Sequence, residues 1–368
     1  MARGRLILQA LEDFEDREAR PVWSWPERDK HSSAWLLSLP GPDFDLTATE
    51  FSEGFAAMLC QPSPACRSMV GRPVPGGERV CPWGDTVVNA KMKGDGFRKR
   101  HDAIKLRIHH LLRGARIPAQ CEVFNEFADL IPQAALSRIE RGRRRQGLVP
   151  DFKLRGVEGE GDLLCELKAM SASESRYPRN PRVRDGVRGV DGRADGLTAA
   201  YALKAWEVDW QYCGTPRPPK LRQGGQAPPR QIGPVETRLL TYGQVRGWCF
   251  GAWGEVSGEV NYLLQKIAQA KLEVGNTQPS GRRTYKTREA QLAGLVASTR
   301  RDLSHKAVQQ QSKLLLDRLK LLGDGAKEAA NRRGWAEEVE RRGARERRAQ
   351  DVCLRQGHSL MRHGFGLL

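Results

Sequence analysis

Residues 147–170 read GLVPDFKLRGVEGEGDLLCELKAM, and this stretch limits the possible folds more than any other. Leu148 and Val149 lead into a Pro150-Asp151 bend, a Gly/Glu-rich turn occupies residues 156–161, and Leu163, Cys165 and Leu167 then alternate with Leu164, Glu166 and Lys168. Strict alternation bounded by turn residues marks a β-hairpin whose second strand is half buried. Side chains two apart share one face of a strand, so Glu166 and Lys168 stand about 7 Å apart on one surface. Leu163, Cys165 and Leu167 enter a core on the other, and the paired strand brings Asp151 close to the acid and the lysine.

Two carboxylates converging at a strand bend suit a hard divalent cation, Mg2+ or Mn2+, which takes oxygen ligands and keeps waters that a phosphate can replace. A lysine beside them has an adjustable pKa and can orient or deprotonate the attacking water. Asp151, then fourteen residues, then Glu166 and Lys168 therefore point to metal-assisted phosphodiester hydrolysis. The alternative is that Asp151 caps a turn while Glu166 and Lys168 form a solvated strand edge. So short a pattern recurs by chance, and its neighbours must decide.

The composition narrows the partners. With 61 Lys and Arg against 44 Asp and Glu among 368 residues, the formal charge is +17, a field that concentrates polyanions. Nucleic acid is the leading candidate and an anionic membrane the second. No apolar run approaches a membrane span, and the first residues turn acidic too early for a signal peptide, so a soluble, intracellular protein is expected. Basic clusters such as RGRRR read equally as nuclear addresses or phosphate contacts. The eight cysteines lack framework spacing, which favours reduced thiols. Cys60, Cys66, Cys81 and His101 could form a zinc site, but they lack the close pairing of zinc knuckles, so buried thiols are the default reading and bound zinc the alternative.

Residues 1–94 read as a loosely organised region, with a short amphipathic segment at 6–14, tryptophans at 23, 25 and 35, a helix at 51–59 capped by Thr47 or Thr49, and a Pro/Gly-rich linker at 60–80. At 97–115, Ile104, Ile108, Leu111 and Leu112 recur at helical spacing, with Arg98, Lys99, Arg100, Lys105 and Arg107 forming an opposite, basic face for phosphate. His101 and Asp102 at its start are either a helix-terminus charge arrangement or residues facing the metal. His109 and His110 read as surface or core-edge residues. A strand at 117–127 carries Glu122 and Glu126; mid-strand Glu122 is the better third carboxylate. Arg141, Arg143, Arg144 and Arg145 precede the Pro-Asp strand and suit phosphate tracking.

Beyond the hairpin, a polar loop at 171–196 leads to a helix at 197–212 with Tyr201, Lys204 and Asp209 on its polar side. A proline-rich insertion, a buried strand at 246–250 and an amphipathic helix at 256–272 follow. Together these predict an α/β core over 95–272, a mixed central sheet flanked by helices with the hairpin inside it. Charged helices at 287–297, 306–322 and 324–353 make residues 273–368 a basic helical extension.

Residues 101–272 resemble the PD-(D/E)xK, or restriction-like, nuclease superfamily, whose core places a helix, a strand, the Pro-Asp strand and the ExK strand in this order. The RHD at Arg100–Asp102, the PDF at Pro150 and the GAWGE at 251–255 are similar to nuclease-type domains found with reverse transcriptases in eukaryotic mobile elements. The resemblance implies a restriction-endonuclease-like core, Asp151 and Glu166 as metal ligands, and Lys168 as the water-activating residue. Glu122 and Asp102 would be the additional acids. It implies a DNA endonuclease using Mg2+ or Mn2+, with RNA open as the alternative substrate. The chain departs from the retroelement pattern upstream, where Cys81-Pro82-Trp83-Gly84-Asp85 only faintly resembles a zinc knuckle. It also shows no paired-aspartate polymerase motif, which implies a stand-alone or remnant protein. A catalytically inactive nucleic-acid-binding protein that keeps the nuclease fold is the alternative, and a scaffold built on the charged helices is a third.

Overall fold

The computed structural model describes residues 33–37, 46–59, 61–123, 126–133, 148–157, 161–172, 177, 189–216, 231–274 and 287–323. In chain order its longer elements are α1 (Ala48–Met58), α2 (Asp85–Asn89), α3 (Gly96–Gly114), β1 (Ala119–Cys121), β2 (Phe152–Leu154), β3 (Leu163–Ala169), α4 (Gly189–Tyr212), α5 (Pro234–Thr241), β4 (Arg246–Phe250), α6 (Gly258–Glu273) and α7 (Arg288–Gly323). The hairpin forms with Phe152 opposite Cys165 and Leu154 opposite Leu163. β1 joins antiparallel to β2, β4 joins parallel to β3, and the four-stranded mixed sheet runs β1-β2-β3-β4. A parallel neighbour needs a crossover, and α4 with α5 supplies it.

The strand period sorts side chains into two layers. Phe152, Leu154, Leu163, Cys165, Leu167, Trp248 and Phe250 bury one face against Ile104 and Ile108 of α3, Leu263 and Ile267 of α6, and Leu303 and Ala307 of α7. The other face offers Leu164 to Tyr201, Ala205 and Val208 of α4 and to Leu239 of α5, and Cys249 to Ala194 and Leu197. The result is helix on sheet on helix, the mixed α/β class expected from the sequence.

Several boundaries differ from the sequence reading for local reasons. The strand expected at 117–127 stops after Cys121, because Glu122 takes a left-handed backbone (φ 50°) that breaks the ladder. α4 begins at Gly189, inside the expected loop. α5 falls between two expected elements and is capped from a distance: the buried Asp209 carboxylate accepts the N–H groups of Val235 and Glu236, both at 2.8 Å.

The two helices expected at 287–297 and 306–322 are one, α7, whose 36 residues extend about 54 Å. Instead of standing off as an arm, α7 completes the main core through Leu303 and Ala307. It then builds a second core from Leu314, Leu315 and Leu319 with Cys66, Val74, Val80, Val87 and Val88. Residues 61–80, read as linker, are thus packed, together with α2. Arg318 fastens them by donating to the carbonyls of Val87, Val88 and Ala90 at the end of α2 (3.0, 2.6 and 2.8 Å). α1 carries the expected cap, with Thr47 and Glu50 bonded reciprocally. The segments at 6–14 and 324–353, Trp23, Trp25, Cys60 and Arg141, Arg143, Arg144 and Arg145 lie outside the described residues.

The approach of α4 to the sheet turns on one glycine. A Cβ on Gly247 of β4 would lie 2.5 Å from the Ala194 carbonyl oxygen and 2.7 Å from its Cα, and backbone cannot step aside as a side chain would. Gly247→Ala is expected to cost about 1–3 kcal/mol in urea unfolding by lifting α4 off the sheet. An unchanged midpoint would show that this contact tolerates a methyl group.

Candidate active site

Three acids fall in one row where the registers of β1 and β2 are continued past their ends alongside β3. The β1–β2 register sets Glu122 beside Asp151, with the Glu122 N–H donating to the Asp151 carbonyl at 2.9 Å. The β2–β3 register sets Asp151 beside Glu166. Glu122 follows the last residue of β1 and Asp151 precedes the first of β2, so β3 runs on here without a strand partner on that side. The Asp151 side chain closes the gap: its Oδ2 accepts the Leu167 N–H at 2.9 Å.

Into this end of the sheet α3 sends His101 and Lys105, one helical turn apart. His101 Nε2 lies 3.1 Å from Asp151 Oδ2, and its Nδ1 3.1 Å from Asp102 Oδ1. Burial pulls the imidazolium down, but the bonds to Asp102 and Asp151 more than offset it and hold its pKa up at about 9. At neutral pH it is therefore a cation. Lys105 Nζ sits 2.7 Å from Glu122 Oε1, 3.5 Å from Asp151 Oδ1 and 3.7 Å from Asp102 Oδ1, with its side chain only 3% exposed. Burial would lower its pKa too, yet the charges of Asp151, Glu122 and Asp102 raise it. Burial alone would also raise Asp151 and Asp102. Instead His101 and Lys105 hold both below the usual carboxylate range, aided at Asp151 by the Leu167 N–H and at Asp102 by Arg98.

Glu166 behaves differently. Burial and the neighbouring Asp151 charge both push its pKa up, against the weaker pull of Tyr201, Lys168 and His101. Tyr201 of α4 places its hydroxyl 2.8 Å from Glu166 Oε2 and 3.1 Å from the Val149 carbonyl, and burial beside the Glu166 charge pushes the phenol well up. Lys168, two residues along β3 on the same face, is exposed.

The structure thus brings together Asp102, Glu122, Asp151 and Glu166, with Lys168 at the rim. It changes the standing of two basic residues. Arg100 and Lys105, expected on a phosphate-facing surface, are buried; Arg98 is exposed and Lys99 partly so. Arg100 donates to the carbonyls of Ala169 (2.7 Å) and Met170 (3.2 Å) and to Ser171 Oγ (2.9 Å), tying down the end of β3. At about 100° per residue, Arg100, His101 and Lys105 all flank the apolar stripe of Ile104 and Ile108, a signal that helical-wheel arithmetic holds and a count of charges misses. Glu126 is engaged elsewhere, with Lys153 Nζ at 2.9 Å and the Tyr242 hydroxyl. His109 is buried and His110 exposed. Cys66 and Cys81 are free thiols.

Comparison with family models, curated proteins and solved structures returns no match to this chain. Among the described residues no helix is long and apolar enough to cross a membrane. Nor do three or more His, Cys, Asp or Glu side chains among them form a group placed to hold a metal ion. Mg2+ is commonly held through only one or two carboxylates and several waters. Of the acid row, Glu166 accepts from the Tyr201 hydroxyl, whereas Asp151 already accepts the Leu167 N–H and pairs with His101 and Lys105. Asp102 and Glu122 are committed to Lys105.

Arg100→Met is expected to destabilise the protein by about 3 kcal/mol in urea unfolding, since the carbonyls it satisfies would be left unpaired. Arg98→Ala, at an exposed position, should by contrast leave the unfolding midpoint nearly unchanged.

Proposed function

We propose that the chain is a metal-dependent nuclease that hydrolyses phosphodiester bonds in DNA, with a PD-(D/E)xK core of mobile-element origin. The observation that carries this reading is the register that sets Asp151 beside Glu166, with Lys168 two residues further along the same face. The order of α3, three antiparallel strands, α4 and a parallel β4 agrees with the core that the superfamily uses. A bound divalent ion would supply Lewis-acid activation of the scissile phosphate and of a water.

The chain's own residues do the rest. Asp151 and Glu166 would hold the ion, and Tyr201 fixes the rotamer of Glu166 by its hydrogen bond. His101 contacts Asp151 Oδ2, the oxygen that also accepts the Leu167 N–H. Lys168, at the solvent rim, orients the attacking water or takes its proton as the water oxygen bonds to phosphorus and the bond to the leaving sugar oxygen breaks. Arg98 and Lys99, with Arg141, Arg143, Arg144 and Arg145, contact flanking phosphates without reading sequence.

A second reading, a nucleic-acid-binding protein that keeps the fold without the chemistry, draws support from Lys105, whose ammonium already neutralises part of the acid row. Supercoiled plasmid with Mg2+ separates the two. Wild type should nick it, while Asp151→Asn, Glu166→Gln and Lys168→Ala should each lose at least 100-fold in rate. Nicking that survives all three substitutions would sink the site. Salt-sensitive DNA retention without nicking by wild type under any divalent ion would establish the binding-only reading.

A further inference from the structure

We propose that Phe97 is a stacking platform for an unpaired base of DNA, and that Lys91, Lys93, Arg98 and Lys99 around it hold the phosphates on either side, so that the preferred DNA carries a single-stranded tail beside its duplex. The inference rests on the nucleic-acid reading above and not on a bound ion. It concerns residues 91–99, KMKGDGFRK, which lead from α2 into the first turn of α3. The segment gathers four cations and one acid, Asp95, beside an aromatic ring.

These cations differ from those further along the helix. Arg100 and Lys105 are buried and committed to carbonyls and carboxylates. Lys91, Lys93 and Arg98 are exposed and Lys99 is half-buried. Arg98 approaches Asp102 at 3.5 Å, while none of the three lysines has an ion-pair partner among the described residues. A cation without an internal partner keeps its field for a charge in solution, and a polyanion is the complementary one.

Phe97 is exposed, yet it is also held. It is 38% open to solvent, and its ring centroid lies 4.3 Å from the Arg318 guanidinium carbon and 5.7 Å from that of Arg100. Both guanidiniums are buried, so they back the inner side of the ring and leave its outer side to solvent. Arg318 is fixed in turn by the carbonyls of Val87, Val88 and Ala90, and Arg100 by those of Ala169 and Met170. Just before the ring, a Cβ on Gly96 would lie 2.6 Å from Leu314 Cδ1, so the chain enters α3 flush against α7. A ring fixed from behind loses little freedom when a base stacks on its front.

The position of the ring selects the kind of DNA. Phe97 precedes by one helical turn His101, whose ring touches Asp151, so a base stacked there lies about 6 Å along α3 from the acid row. Within a duplex both faces of a base are covered by its neighbours, whereas a single-stranded tail offers a bare face. Every base has such a face, so the contact tolerates any sequence.

The test reads binding alone, with the full chain in chelator. A short duplex bearing a single-stranded tail is compared with the same duplex lacking it, by fluorescence anisotropy over a range of salt. The tail carries a fluorescent adenine analogue whose emission falls on stacking. Wild type should prefer the tailed DNA by about 10-fold and quench the analogue. Phe97→Leu, which keeps an apolar group against Arg318, should lose both the preference and the quench while its affinity for the plain duplex and its melting temperature hold. Phe97→Trp should keep both and bind the tail more tightly than wild type, and it decides the matter if Phe97→Leu does not fold. Lys91→Ala/Lys93→Ala should weaken both DNAs alike and lower the salt slope by about 2.

Equal affinity of wild type for the two DNAs, a preference that survives Phe97→Leu, a weaker tail contact in Phe97→Trp, or a salt slope unmoved by the double lysine variant would each overturn the assignment while leaving the nuclease reading intact. Capture by phosphatidylserine vesicles that depends on Phe97, with no effect of Phe97 on DNA, would overturn it in favour of an anionic membrane. Absence of binding to either DNA would overturn this inference and the nucleic-acid reading together.

Discussion

Two carboxylates side by side on neighbouring strands repel each other, and most of what surrounds Asp151 and Glu166 answers that repulsion. One helical layer contributes His101 and Lys105, the opposite layer contributes Tyr201, and the sheet itself contributes the Leu167 N–H. The site therefore lies where all three layers meet, and it depends on each layer lying close. Gly247 matters for this reason: by admitting the Ala194 backbone it lets α4 come near enough for a phenol to reach across to β3.

The charges of the chain divide into those that act on the fold and those that act on its surroundings. Arg100, Lys105 and Arg318 are all buried, each satisfied by carbonyls or carboxylates, and Arg107 is held by Asp302 through paired bonds of 2.6 Å. A formal charge of +17 counts them all equally, although a buried and compensated cation contributes little to the field that a distant phosphate feels. Electrostatic attraction to a polyanion rests on the exposed remainder, of which Arg98 at the rim is the clearest described member.

What the sequence made legible follows the range of the forces involved. The β2–β3 hairpin, β4 and α6 show their own period, so Leu163, Cys165 and Leu167 could be assigned to a core and Glu166 with Lys168 to the opposite face. The site's acids were visible for the same reason. Features made by distant partners were not. α5 owes its cap to Asp209, 25 residues before the first helical position, and the end of β1 is set by one left-handed residue. Tyr201 reads as one polar-side residue among several until the sheet is in place. Lys105 looks like any other lysine in a basic run, and its role emerges only when Glu122, Asp151 and Asp102 are brought around it.

The long helix α7 carries a consequence for the order in which the molecule is made. It is the last described element, yet Leu303 and Ala307 close the core that α3 and the sheet begin, and its C-terminal half holds residues 61–90 in place. A growing chain that has emerged only as far as β4 or α6 has synthesised all four acids and their cations, but part of the apolar face of α3 that aims His101 and Lys105 is still uncovered. During translation the acid row thus exists as a sequence well before it exists as a site, and its assembly waits for a helix that contributes no residue to it.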